Sequence, residues 1–387
     1  MINLFVNVLN KSKLPHIGTN IFTKMSLLSA QYNAINLSQG YPDFEVDPEL
    51  INLSKKYFDL GYHQYAPMQG VLKLRKAIAK KHFQLYEKYY DEEDEITITS
   101  GATQGIFTTI SAFINQGDEV IIFSPSYDCY EPAVTLNKGK SVFIELESPN
   151  FKVDWQKVEH SISSKTRMII INNPHNPSGS ILNNRDMLNL EIIAEKYNLL
   201  VLSDEVYEHL VYDGKSHLSV CQYPNLFKRS VATFSFGKTF HATGWKLGYV
   251  LAPKDLMIEI RKVHQFNVFS CNHPLQLAIS DYIEKKENFL KLNNFYKKKR
   301  DLFLEIIAAS RFEAIPSKGT YFQLLNYSRI SKMPDNEMAE ELIKINGIAS
   351  IPVSGFSSSN IDEKNLRFCF AKKEETLKRA GDILIKI

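Results

Sequence analysis

The sequence predicts an α/β protein in which a mostly parallel β-sheet is covered by helices, together with a smaller α+β unit. Two observations support this prediction. Between about residues 95 and 252, short aliphatic runs alternate with helical patterns, which is typical of strands buried on both faces of a parallel sheet. Beyond about residue 280, long charged helical stretches surround a single alternating strand pattern, which is typical of a separate α+β layer.

Six apolar runs in the first region are predicted to be strands. Each is short and rich in β-branched or aliphatic side chains, and helical or turn-forming segments lie between them. Between the third and fourth runs, Met187, Leu188, Ile192 and Ile193 indicate the buried face of a connecting helix. In chain order the runs are Ile96–Thr99, Val120–Phe123, Met168–Ile171, Leu199–Leu202, Val231–Phe234 and Gly248–Leu251.

The two ends of the chain are predicted to form the smaller unit. The first thirty or so residues are polar and irregular, so we expect an arm that packs on another part of the protein. Near the other end, helical stretches at 284–309 and 336–346 flank the alternating pattern of Asn365–Phe370. We therefore expect an arm and part of the small domain at 1–45, a large domain at 46–283 and a small C-terminal domain at 284–387.

Length, composition and charge predict an ordinary globular protein of two structural units. The chain has 387 residues, 44% of them hydrophobic, and a formal net charge of +3, which is too small to predict nucleic-acid binding. Its tight basic cluster, Lys297–Arg300, is interpreted as the solvated face of a helix. Four scattered cysteines predict no metal site, and no apolar run is long enough to span a membrane. Since no secretory signal is recognisable, we expect a cytoplasmic protein.

The end of the first predicted strand has the composition of a phosphate-binding turn. In open α/β sheets, ligands bind beyond the carboxyl ends of the strands. Here Gly101, Ala102 and Thr103 lie between the strand and a predicted helix. Small residues at such a turn leave backbone N–H groups free to hold a phosphate at the positive end of the helix. An ordinary tight turn is the alternative.

The next three strand ends carry groups suited to an aromatic ring. Tyr127 can stack on a flat ring or simply pack in the core. Asn176 lies in a loop with two X-Pro steps, which either presents its amide rigidly or is only a turn. Asp204 ends a predicted buried strand, where a carboxylate needs a cation or caps a helix. Tyr207 follows three residues later, on the same face if a helix begins there.

The fifth strand end carries Ser235 and Lys238, and Lys246 follows nearby. Burying an ammonium group is costly, and a lysine that stays neutral can form an imine with an aldehyde. A solvated lysine is the alternative for Lys238 taken alone. Taken together, the five strand ends outline an aromatic aldehyde with a phosphate and a basic nitrogen. Pyridoxal phosphate fits that description.

Two longer motifs carry a resemblance to a known family. The segments Ser235–Tyr249 and Asn36–Phe44 resemble those of the fold-type I, pyridoxal-phosphate-dependent aminotransferases of class I/II, in the aspartate aminotransferase superfamily. Within that superfamily, the first segment looks most like the methionine and kynurenine/glutamine aminotransferases. The resemblance extends to Leu366–Phe370 and implies a seven-stranded sheet. The sequence departs from the family at one position, because Lys246 stands where many relatives have arginine. A lysine keeps the positive charge but cannot form the two parallel hydrogen bonds of an arginine.

The resemblance implies a role for each residue at the strand ends. Lys238 would carry the cofactor as an imine and, once released, transfer the substrate's α-proton. Asp204 would pair with the ring nitrogen, and Asn176 and Tyr207 would bond the ring hydroxyl while Tyr127 stacks on the ring. The phosphate would be bound by Gly101, Ala102, Thr103, Ser235 and Lys246, and by Tyr65 from the other subunit.

The resemblance also implies the reaction and the assembly. Arg367 and Asn176, with the backbone of Gly40, would bind the α-carboxylate of an amino acid, which is converted to its 2-oxo acid while pyridoxamine phosphate forms. Methionine and aromatic amino acids are the favoured substrates. Because Tyr65 and Phe269–His273 resemble segments that face a partner's site, a homodimer with shared active sites is expected.

Two alternatives remain at this point. The first is the same fold acting as a cysteine-conjugate β-lyase, which begins with the same deprotonation. The second is a non-catalytic sensing domain of the kind found in some transcription regulators. We expect the second to be wrong, because no basic helix-turn-helix segment is visible and the strand pattern begins early in the chain.

Overall fold

The computed structural model describes residues 12–15, 17–359 and 361–387, and its centre is a seven-stranded sheet. The strand order is β2-β8-β7-β6-β5-β3-β4. All neighbouring strands are parallel except at β8, which is antiparallel to both β2 and β7. The predicted mostly parallel sheet is therefore confirmed. Its strands are β2 (Ile96–Thr99), β3 (Glu119–Ser124), β4 (Lys140–Glu145), β5 (Thr166–Asn172), β6 (Leu200–Asp204), β7 (Ser230–Ser235) and β8 (Gly248–Leu251).

Helices cover the central sheet and connect its strands. One connecting helix, α7, begins at a capping box in which the Asn183 side chain accepts from the backbone N–H groups of Arg185 and Asp186, at 2.8 and 3.2 Å. The helices of this part are α2 (Pro48–Asp59), α3 (Leu72–Tyr86), α4 (Gly101–Phe113), α5 (Tyr130–Leu136), α6 (Trp155–His160), α7 (Asn184–Lys196), α8 (Pro224–Phe227), α9 (Phe236–Thr239), α10 (Lys254–Asn267) and α11 (His273–Ile283).

A second, antiparallel sheet lies in the C-terminal part of the chain. Its order is β12-β13-β10-β9, and it is the α+β layer that the sequence predicts. Its strands are β9 (Glu313–Ala314), β10 (Phe322–Asn326), β12 (Ile351–Pro352) and β13 (Asn365–Cys369). The helices of this part are α12 (Glu287–Leu290), α13 (Leu292–Ile306), α14 (Asp335–Glu341) and α15 (Glu374–Leu384).

The N-terminal arm is more regular than its composition predicts. Residues 1–11 and 16 lie outside the described residues, but α1 (Ile21–Gln31) is a helix, with Asn20 as its N-cap, so the irregular arm expected here is wrong for this stretch. Next, β1 (Ile35–Asn36) pairs in parallel with β11 (Ile348–Ala349). This pairing joins the arm to the C-terminal part of the chain. The two domain boundaries, after residues 45 and 283, stay a prediction.

Two predictions of exposure are wrong. In α7 the buried side chains are Met187, Leu190, Ile193 and Ala194, whereas Leu188 and Ile192 are exposed. The basic cluster is not simply solvated either, because two of its members are buried. The Lys299 ammonium donates to the carbonyl of Lys372 at 2.7 Å, and Arg300 forms ion pairs with Asp213 and Asp301.

The two sheets together position the candidate site. The carboxyl ends of β2, β3, β5, β6 and β7 meet at one edge of the central sheet, and β13 of the second sheet brings Arg367 to the same place. Among the described residues, no helix is long and apolar enough to cross a membrane. In the same part of the chain, no group of His, Cys, Asp and Glu side chains is arranged to hold a metal.

Candidate active site

A cavity of about 470 Å³ opens where the strand ends meet. Every residue predicted to bind cofactor or substrate lines it, with the exception of Tyr65. The structure therefore brings together residues that are up to 327 positions apart, from Gly40 to Arg367. The predicted residues at the cavity are Gly40, Gly101, Ala102, Thr103, Tyr127, Asn176, Asp204, Tyr207, Ser235, Lys238, Lys246 and Arg367.

Lys238 lies inside the cavity at the end of the short helix α9. Ser235 ends β7, and its hydroxyl accepts from the backbone N–H of Lys238 at 3.4 Å. The Lys238 ammonium donates to the carbonyl of Gly40 at 3.0 Å and lies 5.6 Å from the centre of the Tyr321 ring. Burial lowers the pKa of Lys238 to about 8, and the charge of Arg367 acts in the same direction. This lysine can therefore lose its proton near neutral pH and react as an amine.

Asp204 is a buried carboxylate that fits a positively charged ligand atom. One of its oxygens accepts from the Tyr130 hydroxyl at 2.7 Å, and the other from the backbone N–H of Val206 at 3.3 Å. Among the described residues no cation forms a salt bridge with it. Burial raises the pKa of Asp204 to about 6, although Tyr130 and the charge of Lys238 oppose the rise. A protonated ring nitrogen would supply the missing counter-charge.

The start of α4 fits a phosphate group. Gly101 has a φ of +78°, a backbone conformation that favours glycine, and it turns the chain from β2 into the helix. A Cβ atom at Gly101 would lie 3.4 Å from the Lys246 ammonium, so that cation lies beside the helix N-terminus. Ala102 and Thr103 follow in the first turn, where backbone N–H groups have no helical acceptor.

Tyr127, Asn176 and Tyr207 lie around the remaining space, where a ring would fit. Burial raises the pKa of both tyrosines, so their hydroxyl groups remain protonated. The Asn176 backbone N–H is held by the side chain of Asn172 at 2.7 Å. The prediction that Asp204 and Tyr207 share a helical face is wrong, because β6 is followed by a turn. That turn nevertheless brings both side chains to the cavity.

Arg367 is a buried guanidinium group with capacity left for an anion. Its Nη1 donates to the Asn176 side chain at 2.7 Å and its Nη2 to the carbonyl of Ser38 at 2.9 Å. Its buried Nε has no hydrogen-bond partner among the described residues. Burial lowers the pKa of Arg367 to about 10, which leaves it charged at neutral pH. The centre of the Phe322 ring lies 3.9 Å from the Cζ atom of Arg367, so the guanidinium group is held in a fixed plane.

Several residues at the site were not predicted from the sequence. Tyr130 belongs to the same strand-end segment as Tyr127, and Asn172 ends β5, so position alone gave a signal for both. Phe322 and Tyr321 had no such signal, because Phe322 begins β10 of the second sheet and Tyr321 directly precedes it. The Tyr321 hydroxyl donates to the carbonyl of Gly40 at 2.6 Å, the same oxygen that accepts from the Lys238 ammonium.

Tyr65 is the one predicted residue that does not line the cavity. It is 79% exposed, and its ring packs edge-to-face against Phe269 at 5.3 Å. A side chain that reaches into a second subunit would be exposed in a single chain. The predicted role of Tyr65 therefore stays a prediction.

Comparisons with known proteins identify the family. A sequence model of the family aminotransferase class I and II matches residues 32–384. The chain is 45% identical to methionine aminotransferase of Escherichia coli over 375 residues, which is 97% of each protein. It is 34% identical to kynurenine–oxoglutarate transaminase 3 of Homo sapiens, over 97% of this chain and 89% of that protein.

Solved structures agree with these relatives. A methionine aminotransferase structure from Escherichia coli has a TM-score of 0.96 at 45% identity and covers 97% of this chain and 99% of that chain. N-succinyldiaminopimelate aminotransferase from Mycobacterium tuberculosis has a TM-score of 0.94 at 31% identity, over 97% and 99%. The resemblance, the fold type and the cofactor are thereby confirmed, and the sensing-domain alternative is wrong. The chain belongs to the class I and II aminotransferases and is an enzyme that transfers amino groups with pyridoxal 5′-phosphate as its cofactor.

Proposed function

We propose that this aminotransferase acts on amino acids with uncharged side chains, with methionine as the favoured donor and aromatic amino acids next. The cavity wall carries this proposal. Among the described residues, its cations are Lys238, Lys246 and Arg367, and each has a proposed task at the cofactor or the α-carboxylate. No further cation faces a side-chain carboxylate there, while the carboxylate of Asp128 lies on the same wall. The similarity to a methionine aminotransferase supports the same substrate class.

In this proposal, Arg367 and Asn176 orient the amino acid. The guanidinium group, held by Asn176 and by the carbonyl of Ser38, binds the α-carboxylate. Fixing that carboxylate aligns the Cα–H bond for cleavage, rather than the bond between Cα and the carboxyl group. Deprotonation is then favoured over decarboxylation.

Lys238 moves the proton in this proposal. When bound, pyridoxal phosphate withdraws electrons from the substrate Cα and takes up the amino group. The neutral amine of Lys238, which has a pKa of about 8, takes the proton from Cα as a general base. Asp204 would pair with the cofactor's ring nitrogen and remain ionised, because a positive charge on that nitrogen would offset the cost of burying the carboxylate.

A panel of amino donors tests the substrate class. We expect kcat/KM for methionine to exceed that for aspartate by about 100-fold or more, since a buried carboxylate without a partner costs several kcal/mol. Phenylalanine, tyrosine, histidine and glutamine complete the panel, each measured with several 2-oxo acids. Aspartate as the best donor would contradict the proposal. If cysteine conjugates yield pyruvate, thiol and ammonia faster than methionine is transaminated, the enzyme is a β-lyase.

Replacement of Arg367 by lysine tests the carboxylate site. We expect kcat/KM to fall about 100-fold for methionine and phenylalanine alike, because a lysine keeps the charge but cannot form two parallel hydrogen bonds. Steady-state kinetics with both donors checks this. As a control, Arg300→Lys alters a buried arginine of α13 that pairs with Asp213 outside the cavity. A change confined to one of the two donors would contradict the proposed role of Arg367.

We further propose a homodimer in which Tyr65 completes the partner's site. The ring of Phe269, which packs against Tyr65, is also exposed, and the two aromatic side chains are suited to burial against a second copy. Sedimentation should give twice the monomer mass of 44.4 kDa. Tyr65→Phe should weaken pyridoxal phosphate binding about tenfold, because one hydrogen bond to the phosphate is lost. A fully active monomer is incompatible with this proposal.

A cytoplasmic location is also proposed. Cys129, Cys221, Cys271 and Cys369 are all buried thiols that form no disulfide among the described residues, which fits a reducing compartment. Fractionation of cells that express the protein checks the location.

A further inference from the structure

A buried cluster of charged side chains lies behind the turn that carries Asp204 and Tyr207. The ammonium of Lys81, on α3, bonds to the carboxylate of Glu208, and the two side chains are only 3% and 2% exposed. The Tyr86 hydroxyl donates to the other oxygen of Glu208 at 3.0 Å. None of these three residues lines the cavity, so the cluster has no direct contact with the proposed chemistry.

The cluster is bonded to the segments that position the cofactor site. Glu208 directly follows Tyr207. The Lys81 ammonium donates at 3.0 Å to the hydroxyl of Tyr249 on β8, whose ring stacks on Phe234 of β7 at 4.7 Å. Phe234 directly precedes Ser235 at the cavity. One lysine from α3 thus joins the turn after β6 to the ends of β7 and β8.

A second buried carboxylate holds the same turn at its beginning. Glu205, which directly follows Asp204, accepts from the Ser203 hydroxyl at 2.8 Å, from the Val220 backbone N–H at 3.1 Å, and lies 2.8 Å from the ring nitrogen of His217. The turn therefore has a buried carboxylate anchor immediately after each of its two cofactor-facing residues.

The Lys81–Glu208 ion pair is charged and costly in free energy to bury, which indicates a role other than stabilising the fold. Burial raises the pKa of Glu208, but the charge of Lys81 outweighs it and leaves the pKa well below its usual range, so the carboxylate is ionised. His82 and His209 also face this pair, and burial lowers the pKa of both, which leaves them neutral. Buried ion pairs are often no more stabilising than apolar side chains of the same volume.

We propose that Lys81 and Glu208 are positioning residues that hold residues 204–209 in place, so that Asp204 and Tyr207 face the cofactor at fixed positions. The inference rests on the proposed cofactor contacts of Asp204 and Tyr207. The two parts can fail separately, because variants of Asp204 test the contacts and variants of Lys81 and Glu208 test the positioning.

The test is a double variant, Lys81→Met with Glu208→Leu, compared with each single change. Each single variant leaves one buried charge without its partner and should lower the melting temperature by about 5 °C or more. The double variant should recover to within about 2 °C of the unchanged protein. Even so, we expect its apoprotein to bind pyridoxal phosphate about tenfold more weakly. The pH midpoint of the bound cofactor's visible absorbance should move by about half a unit or more.

A double variant with the affinity and midpoint of the unchanged protein would overturn the proposal, whatever its melting temperature. If the double variant does not fold, Tyr86→Phe replaces it, since that change removes one hydrogen bond from Glu208 without altering charge. It should move the midpoint in the same direction, and an unchanged midpoint and affinity would again overturn the proposal. As a control, Arg300→Met removes a buried cation outside the cavity and should lower the melting temperature without moving the midpoint.

Discussion

Replacing Lys238 with alanine is expected to reduce transamination by at least about 10⁴-fold and to remove the visible absorbance of the lysine-bound cofactor. The reason is that one amine both carries the cofactor and moves the substrate's proton. Lys238 is the cavity lysine whose pKa burial lowers, to about 8. The measurement is single-turnover kinetics with methionine, together with the absorbance spectrum of the purified protein.

A second buried lysine provides the control for this prediction. Burial also lowers the pKa of Lys299, but its ammonium bonds to the carbonyl of Lys372 outside the cavity. Lys299→Met should therefore keep the absorbance of the bound cofactor, even if it costs stability. Full transaminase activity in Lys238→Ala would show that the assignment of this lysine is wrong.

Replacing Asp204 with asparagine is expected to lower kcat by about 10²- to 10³-fold with a smaller change in KM. Asparagine has the same size and still accepts a hydrogen bond from the hydroxyl of Tyr130, but it removes the negative charge. Without that charge the ring nitrogen is not held protonated, and the loss falls on the proton transfer rather than on substrate binding. Steady-state kinetics with saturating methionine and 2-oxo acid measures both constants.

Asp335 is a matched control for this change. It is also buried, burial raises its pKa, and its carboxylate is bonded to Ser354 outside the cavity. Asp335→Asn should leave kcat within about twofold of the unchanged enzyme. If Asp204→Asn keeps the full kcat as well, the proposed electrostatic role of Asp204 is refuted.

The strand ends were predictable from the sequence because each follows a short run of buried aliphatic residues. Gly101, Asp204 and Lys238 can be placed at one edge of a sheet from the sequence alone, since parallel strands end at the same side. The position of Arg367 could not be derived in this way. It lies on β13 of the other sheet, and its role was implied only by the resemblance to the family.

The other differences between the sequence-based predictions and the structure have local physical causes. Leu188 and Ile192 are aliphatic residues on the exposed face of α7, and single exposed apolar residues are common enough to mislead a periodicity argument. The burial of Lys81 could not be predicted from the sequence, because a lysine in a charged helical stretch is normally solvated. Only the packing of α3 against the sheet shows that it is buried beside Glu208.

The claim that Lys238 carries the cofactor is tested most directly by chemical trapping. Borohydride reduction of the purified holoenzyme makes the bond between lysine and cofactor permanent, and mass spectrometry of the digested protein locates the modified residue. We predict the added pyridoxyl phosphate mass on the peptide that contains Lys238 and on no other lysine. The same mass on Lys246 or on another peptide, with Lys238 unmodified, would contradict the account.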